Sequence, residues 1–351
     1  MIEQGLYWDP DRNGWISTHS MMKTFRRCPK QTQYKYAERL KSKREGRPLR
    51  EGTWMHSLLE TKYKGGDWRE THQALTHKFN DLFDEEKDEI GNLPVDCARL
   101  MRSYEWHYKN DNWKIHDVEF LLETEFPDGS IYRGRIDLLV EDQFGLWIVD
   151  HKFNAKLPGL MFRLLDAQSA LYVWAARRMG IPVQGHIWNY VRRKVPTVPQ
   201  LLKDGTRLSS RAIDTDYPTF ASALKRYELD PTPYADKLAY LKGLRFEHGA
   251  PQRSSYFRRD VLERSNAMLK QVAREAYHTS KRMNAYDFSK PDFVERVVDR
   301  SCEWMCNYTE LCALELFGGD PRSIRRQRYT ETDPMYYYYD DPFEATVGKG
   351  D

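Results

Sequence analysis

Leu146-Trp147-Ile148-Val149-Asp150-His151-Lys152 is an apolar run that ends in an acid and a lysine two positions apart. On a β-strand such residues project from the same face, so Asp150 and Lys152 share one side and His151 faces the other. A second strand-like run, Tyr132-Arg133-Gly134-Arg135-Ile136-Asp137-Leu138-Leu139-Val140, lies just upstream, and Glu141 to Gly145 between them reads as a short polar turn. Adjacent strands then bring Asp137 beside Asp150. Aspartate is depleted in strands, so two of them with a lysine in neighbouring apolar strands need compensation. A divalent cation shared by the carboxylates supplies it, with the lysine orienting or polarising a water. A buried Asp–Lys ion pair is the alternative, and an isolated D-x-K would fit that reading as well.

Working outward, Asp117 to Phe126 reads as a strand closed by the turn Pro127-Asp128-Gly129, ahead of the Asp137 and Asp150 strands. A helix is expected from Leu160 to Met179, stopped by Gly180-Ile181-Pro182, with Gln168 and Tyr172 four apart on one face. Gly185 to Val191 reads as a fourth strand. Three strands, a helix and another strand define an α/β core with a mixed central sheet flanked by helices. Before it, Ser17 to Ser20 can cap a helix over Met21 to Leu40, a basic break covers Lys41 to Arg50, and Gly52 to about Tyr108 is mainly helical. The basic break is either a solvated loop or a phosphate-contacting one.

After the core, Lys194 to about Gln252 is rich in proline and polar residues and reads as an insertion, with short helices at Phe220 to Tyr227 and Tyr234 to Phe246. A long charged helix is expected over Val261 to Ala285. Arg253, Arg258 and Arg259 beside Tyr256 and Phe257 precede it, as a DNA contact or as an exposed helix start. Arg322, Arg325, Arg326 and Arg328 form a basic patch, and Tyr336 to Tyr339 with Asp340 and Asp341 an acidic tail expected to be mobile. The regions are therefore 1–116, helical; 117–193, the core; 194–290, insertion and long helix; and 291–351, cysteine segment, basic patch and tail.

Taken together, Gly134-Arg135-Ile136-Asp137, Asp150-His151-Lys152 and Gln168 to Tyr172 resemble the PD-(D/E)XK nuclease superfamily in its RecB-like branch. Gly52-Thr53-Trp54-Met55-His56-Ser57-Leu58-Leu59-Glu60 resembles that branch's additional histidine motif. The resemblance implies a restriction-endonuclease-like core and a metal-dependent DNA nuclease. Asp137 and Asp150 would hold Mg²⁺ or Mn²⁺, with His56 and the backbone carbonyl of His151 as further ligands. Lys152 would steady the attacking water or the transition state, and Gln168 and Tyr172 would position the DNA backbone or the lysine.

Cys28 near the start and Cys302, Cys306 and Cys312 near the end resemble the arrangement that binds a [4Fe-4S] cluster in the CRISPR-associated exonucleases and in the nuclease domain of AddB. The carboxyl-terminal spacing is C-x3-C-x5-C, where the commonest family spacing is C-x2-C-x5-C. Four thiolates also make a closed Zn²⁺ site, which is the competing reading. Cys97 has no place in the pattern and reads as a core residue. The branch implies an exonuclease acting on single-stranded DNA or duplex ends in recombination, repair or end processing, alongside a helicase or recombination partner, and phage-encoded members share the layout. A non-catalytic DNA-binding or assembly subunit and a zinc-stabilised module are the alternatives from other classes.

Composition agrees with a globular chain: of 351 residues 40% are hydrophobic and 30% charged. A net charge of +3 exerts little long-range pull on nucleic acid, so any DNA groove must arise from local clustering. No apolar stretch has the length of a membrane span, and Met1-Ile2-Glu3-Gln4-Gly5 does not open a signal peptide. The expected compartment is the cytoplasm, whose reducing conditions favour a metal or cluster over disulfides for the cysteines.

Overall fold

The computed structural model describes residues 8–9, 14–156, 158–209 and 213–332, so the tyrosine-rich acidic tail lies outside the described residues. Two strands, β1 (Trp8–Asp9) and β2 (Gly14–Thr18), lead into the helix α1 (His19–Arg27), whose first turn is capped by the Thr18 hydroxyl accepting from Met21 N–H. The helix expected over Met21 to Leu40 then breaks. Cys28 is extended, with φ −162°, because a residue before proline is pushed out of the α region. The chain continues as α2 (Pro29–Thr32), a π-helical turn (Gln33–Ala37) and the short strand β3 (Leu40–Ser42). Four helices follow, α3 (Arg47–Tyr63), α4 (Trp68–Asn80), α5 (Asp84–Ile90) and α6 (Leu93–His107); helices fill the region from Gly52 to Tyr108 as expected, but α3 begins at Arg47, within the segment read as a loop.

The core strands are β4 (Lys114–Glu125), β5 (Ile131–Asp142) and β6 (Gly145–Asn154). Asp142 pairs with Gly145 across a two-residue hairpin turn, and Gly145 sits at φ +119°, where a side chain would be strained. The helix expected over Leu160 to Met179 is two helices, α7 (Leu160–Leu165) and α8 (Ala167–Arg178). Asp166 adopts an extended conformation between them and caps α8 through Ser169 N–H. The strand β7 (Gly185–Arg192) pairs parallel to β6.

The insertion carries α9 (Tyr217–Arg226) and α10 (Ala235–Lys242) around its own small core of Leu208, Phe220, Ala223, Leu224 and Leu241. The next element corrects the sequence reading: Phe257–Glu263 is a strand, β8, antiparallel to β7, and the long helix α11 begins only at Asn266 and runs to Asn284. Its alternation is masked because one of its buried positions is Arg259, which pairs with Asp111 and stacks 3.5 Å over the Trp113 ring and 3.8 Å over Tyr108. Arg259, Tyr256 and Phe257 are buried, and Arg258 pairs with Asp260, so this cluster belongs to a packed strand and is not an exposed helix start. The carboxyl-terminal region holds α12 (Cys302–Met305), α13 (Thr309–Leu316), α14 (Arg322–Arg328) and β9 (Tyr329–Glu331), which pairs with β3. Within the expected basic patch, Arg322, Arg325 and Arg328 are ion-paired to Asp320, to Glu38 and Glu315, and to Glu310 respectively.

The sheet is mixed, in the order β1-β2-β5-β6-β7-β8, with β4 on the remaining edge of β5. It draws β1, β2 and β8 from outside residues 117–193. One face packs on α1, α8 and α11 through residues such as Phe25, Leu171, Ile148 and Leu269. The other packs on α3 and α6 through Leu58, Leu100, Leu138 and Val149. Cys97 is buried in the α3–α6 core. Among the described residues no helix is long and apolar enough to cross a membrane.

Candidate active site

The pairing of β5 explains where the acids meet. β4 runs along one edge of β5 from Ile131 to Glu141. On the other edge β2 pairs, in parallel, with Ile131 to Arg133, and β6 pairs, antiparallel, with Leu138 to Asp142. Between these two partners the edge is a fork, and the residues in it are Gly134-Arg135-Ile136-Asp137. Alternation also breaks here: Ile136 packs in the core under α8, whereas Leu138, two residues on, packs on the opposite face beside Tyr63. Asp137 is thus the last β5 residue before β6 joins, and the His151 N–H donates to its side-chain carboxylate.

Asp150 is buried and ion-paired with Lys152, whose ammonium lies 5.0 Å over the Trp188 ring. His56, on α3, approaches Asp137 with Nδ1 3.6 Å from the carboxylate. The Asp137 and Asp150 carboxyls are each pushed up to about 6 by burial, against the pull of Lys152. Burial lowers the Lys152 ammonium, but Asp150 and Asp137 outweigh it and hold the group above its ordinary range. The His56 imidazole is brought down to about 4 by burial and by Lys152, so it is neutral at pH 7.

His151 turns away from Asp150. Its ring stacks on Tyr63 at 5.7 Å, and its Nδ1 accepts from the Asn189 amide at 2.7 Å. Gln168 donates to the Tyr172 hydroxyl at 2.9 Å, and a Cβ on Gly134 would come within 2.6 Å of the Tyr172 ring. The glycine of the Gly134-Arg135-Ile136-Asp137 stretch therefore makes room for that tyrosine. Burial holds Tyr172 against β5, and Gln168 is fixed to it.

Glu119 escaped the sequence reading. It lies in register with Asp137, between the pairs Val118–Leu138 and Phe120–Ile136, with φ +59°, and it pairs with Arg135 at 2.8 Å. Burial and then the Asp137 charge push its carboxyl up to about 8. Counting residues across the β4–β5 turn would have found it. Glu123, by contrast, is taken up by Arg133.

The donor set of Asp137, Asp150 and a neutral His56 suits a hard divalent cation, and the raised carboxyls are what a nearby positive charge would relieve. The cysteines lie elsewhere. Cys28, Cys302, Cys306 and Cys312 line one cavity of about 160 Å³, together with Arg27, Lys30 and Arg296. Burial raises the Cys306 thiol. The four thiols are partly buried along one cavity, and thiols are the side chains that could serve as ligands to an iron-sulfur cluster or to zinc. Among the described residues, no three His, Cys, Asp or Glu side chains are already gathered into a metal-ion site.

Residues 17–313 match the PD-(D/E)XK nuclease superfamily, and the chain belongs to it. A crystal structure described as that of a "Putative exonuclease" from Eubacterium rectale is similar at 14% identity, over 75% of this chain and 90% of that one, with a TM-score of 0.36. A second, of the protein SSO0001, is 17% identical over 39% of this chain and 58% of that one, with a TM-score of 0.20. No curated protein matches the chain.

Proposed function

We propose that the protein is a Mg²⁺- or Mn²⁺-dependent deoxyribonuclease of the RecB-like type, an exonuclease that hydrolyses phosphodiester bonds at single-stranded DNA or duplex ends in recombination, repair or end processing. The observation that carries this reading is the meeting of Asp137 with the Asp150–Lys152 pair at the fork in the β5 edge. Asp137, Asp150 and His56 would hold the cation, with the His151 carbonyl as a further ligand. When bound, the cation lowers the pKa of a water and neutralises charge on the phosphate.

Lys152 keeps its proton and offers a fixed positive charge to a non-bridging phosphate oxygen or to the attacking water. The His151 N–H fixes the Asp137 carboxylate from behind. Tyr172 and Gln168 brace the strand that carries Asp137, and Gln168 is the more exposed of the two to a DNA backbone. Cys28, Cys302, Cys306 and Cys312 would hold a [4Fe-4S] cluster, with zinc as the alternative, tying the end of α1 to the carboxyl-terminal segment.

The test is digestion of end-labelled linear and circular DNA, single- and double-stranded, with and without Mn²⁺. Asp137→Asn, Asp150→Asn and Lys152→Ala should each lower cleavage by at least about 100-fold, in line with the loss of one transition-state contact. Each should still bind DNA. Wild-type-like cleavage by any two of them overturns the assignment. Binding without cleavage by the native chain would favour a non-catalytic DNA-binding subunit.

A further inference from the structure

A second cleft of about 500 Å³ opens between α1, β3 and the amino end of α3. Lys23 and Arg27 line it from α1, Lys35 from the π-helical turn and Lys41 from β3, against a single carboxylate among its lining residues, Glu45, which pairs with Lys41 at 3.3 Å. Hydroxyls and amides, such as Thr24, Ser42 and Gln31, fill the spaces between the cations. Nothing in the chain's net charge of +3 requires four cations to gather on one small concave surface.

One end of this cleft lies on the helix that carries His56. Thr53 lines it one helical turn before His56, and Lys23 lies one turn after His19, which feels the charges of Asp166 and Lys152. The other end is walled by Met305, Asn307 and Tyr308 of the cysteine segment, and Arg27 lines both the cleft and the cysteine cavity.

We propose, resting on the nuclease reading above, that this cleft holds the sugar-phosphate backbone of one DNA strand leading away from the scissile phosphate. Cations interleaved with neutral hydrogen-bonding groups suit a polyanion gripped without regard to sequence. The cleft, about 500 Å³, has the size of a small-ligand pocket, which suits a short run of one strand; on this reading a single strand runs along it toward the cysteine segment.

The test uses the full chain carrying Lys23→Glu and Lys35→Glu together, with Lys225→Glu and Lys242→Glu on the insertion as a control of equal charge change. The neutral pair Lys23→Gln and Lys35→Gln guards against misfolding. Affinity for a fluorescent oligo-dT strand is measured in EDTA by anisotropy over a salt series. The cleft variants should bind at least tenfold more weakly, and the slope of log K against log salt should shrink by about 1.4 for two lost phosphate contacts. The control should keep the wild-type slope. Hydrolysis of bis(p-nitrophenyl) phosphate, which does not fill the cleft, should be unchanged.

Cleft variants that bind oligo-dT like wild type, while wild type cleaves DNA, overturn the cleft and leave the nuclease reading standing. A loss confined to blunt duplex overturns the single-strand assignment. A native chain that binds the strand through these lysines but cleaves no DNA under any metal condition overturns the nuclease reading instead.

Discussion

Replacing Asp150 by asparagine should stabilise the metal-free protein at neutral pH. In the fold the Asp150 carboxyl is pushed from 3.8 to about 6, chiefly by burial, and a displacement of that size in proton affinity is worth about 3 kcal/mol. Between pH 4 and pH 6 the folded chain holds a proton there that the unfolded chain has lost. Stability therefore falls as pH rises through that window, and the full penalty is present above it. Asparagine keeps the volume and removes the charge, which also relieves Asp137. Against this, Lys152 loses its partner, but its side chain is 33% exposed and can be hydrated where it lies over Trp188. A net gain of about 1–2 kcal/mol remains. With an unfolding entropy of about 0.7 kcal/mol/K expected for a chain of 351 residues, Tm should rise by about 1–3 °C at pH 7 in EDTA and by nothing at pH 4. Adding Mn²⁺ should raise the wild-type Tm and leave the variant nearly unmoved. The assay is calorimetry at both pH values with and without the metal. A variant that melts below wild type at pH 7 in EDTA, or a difference that persists at pH 4, refutes the reasoning.

Other substitutions probe the frame around the site. Gly134→Ala places a Cβ 2.6 Å from the Tyr172 ring, so urea unfolding should show a loss of about 1–3 kcal/mol; an unchanged midpoint would mean that the tyrosine does not pack there. Arg259→Leu strips Asp111 of its buried partner and should cost about 3–5 kcal/mol, part of which the added change Asp111→Asn restores if the unpaired charge is the cause. Protein purified without oxygen should be brown with about four irons per chain; Cys28→Ala or Cys302→Ala should bleach it, Cys97→Ala should not, and colourless protein with stoichiometric zinc would favour the zinc site.

Much of the site could be read in the chain because its parts are local. Asp137 and Asp150 lie on strands joined by a two-residue hairpin turn, so the register set by a short polar connection suffices to bring them together. Gln168 and Tyr172 are one helical turn apart and meet as expected. What escaped depends on distant pairing or on charged residues in buried places. β2 is five residues long and pairs with Ile131 to Arg133 across more than a hundred residues of chain, which no local pattern announces. β8 looked like the start of a charged helix because Arg259 occupies a buried position, paid for by Asp111 and two aromatic rings. Glu119 keeps the register that counting from the β4–β5 turn gives, but its left-handed φ of +59° is something strand alternation does not reveal.

The fork itself is the feature that makes carboxylates tolerable in mid-sheet. Were β6 to run on beside β5, its backbone would cover the edge at Asp137 and leave two acids in contact with each other and with no room for a cation or a phosphate. β6 instead leaves β5 after Leu138 and continues beside β7, while β2 takes up the other end of the same edge and turns directly into α1. The opening therefore exists only because β2 stops short of it. The same segment carries Lys23 along the cleft and ends at Cys28 in the cysteine cavity, so the position of α1 sets the fork, the cleft wall and the first thiol together. A ligand that drew Cys28 toward Cys302, Cys306 and Cys312 would hold that helix at its far end, and the width of the path to Asp137 would then depend on contacts made at the carboxyl-terminal segment.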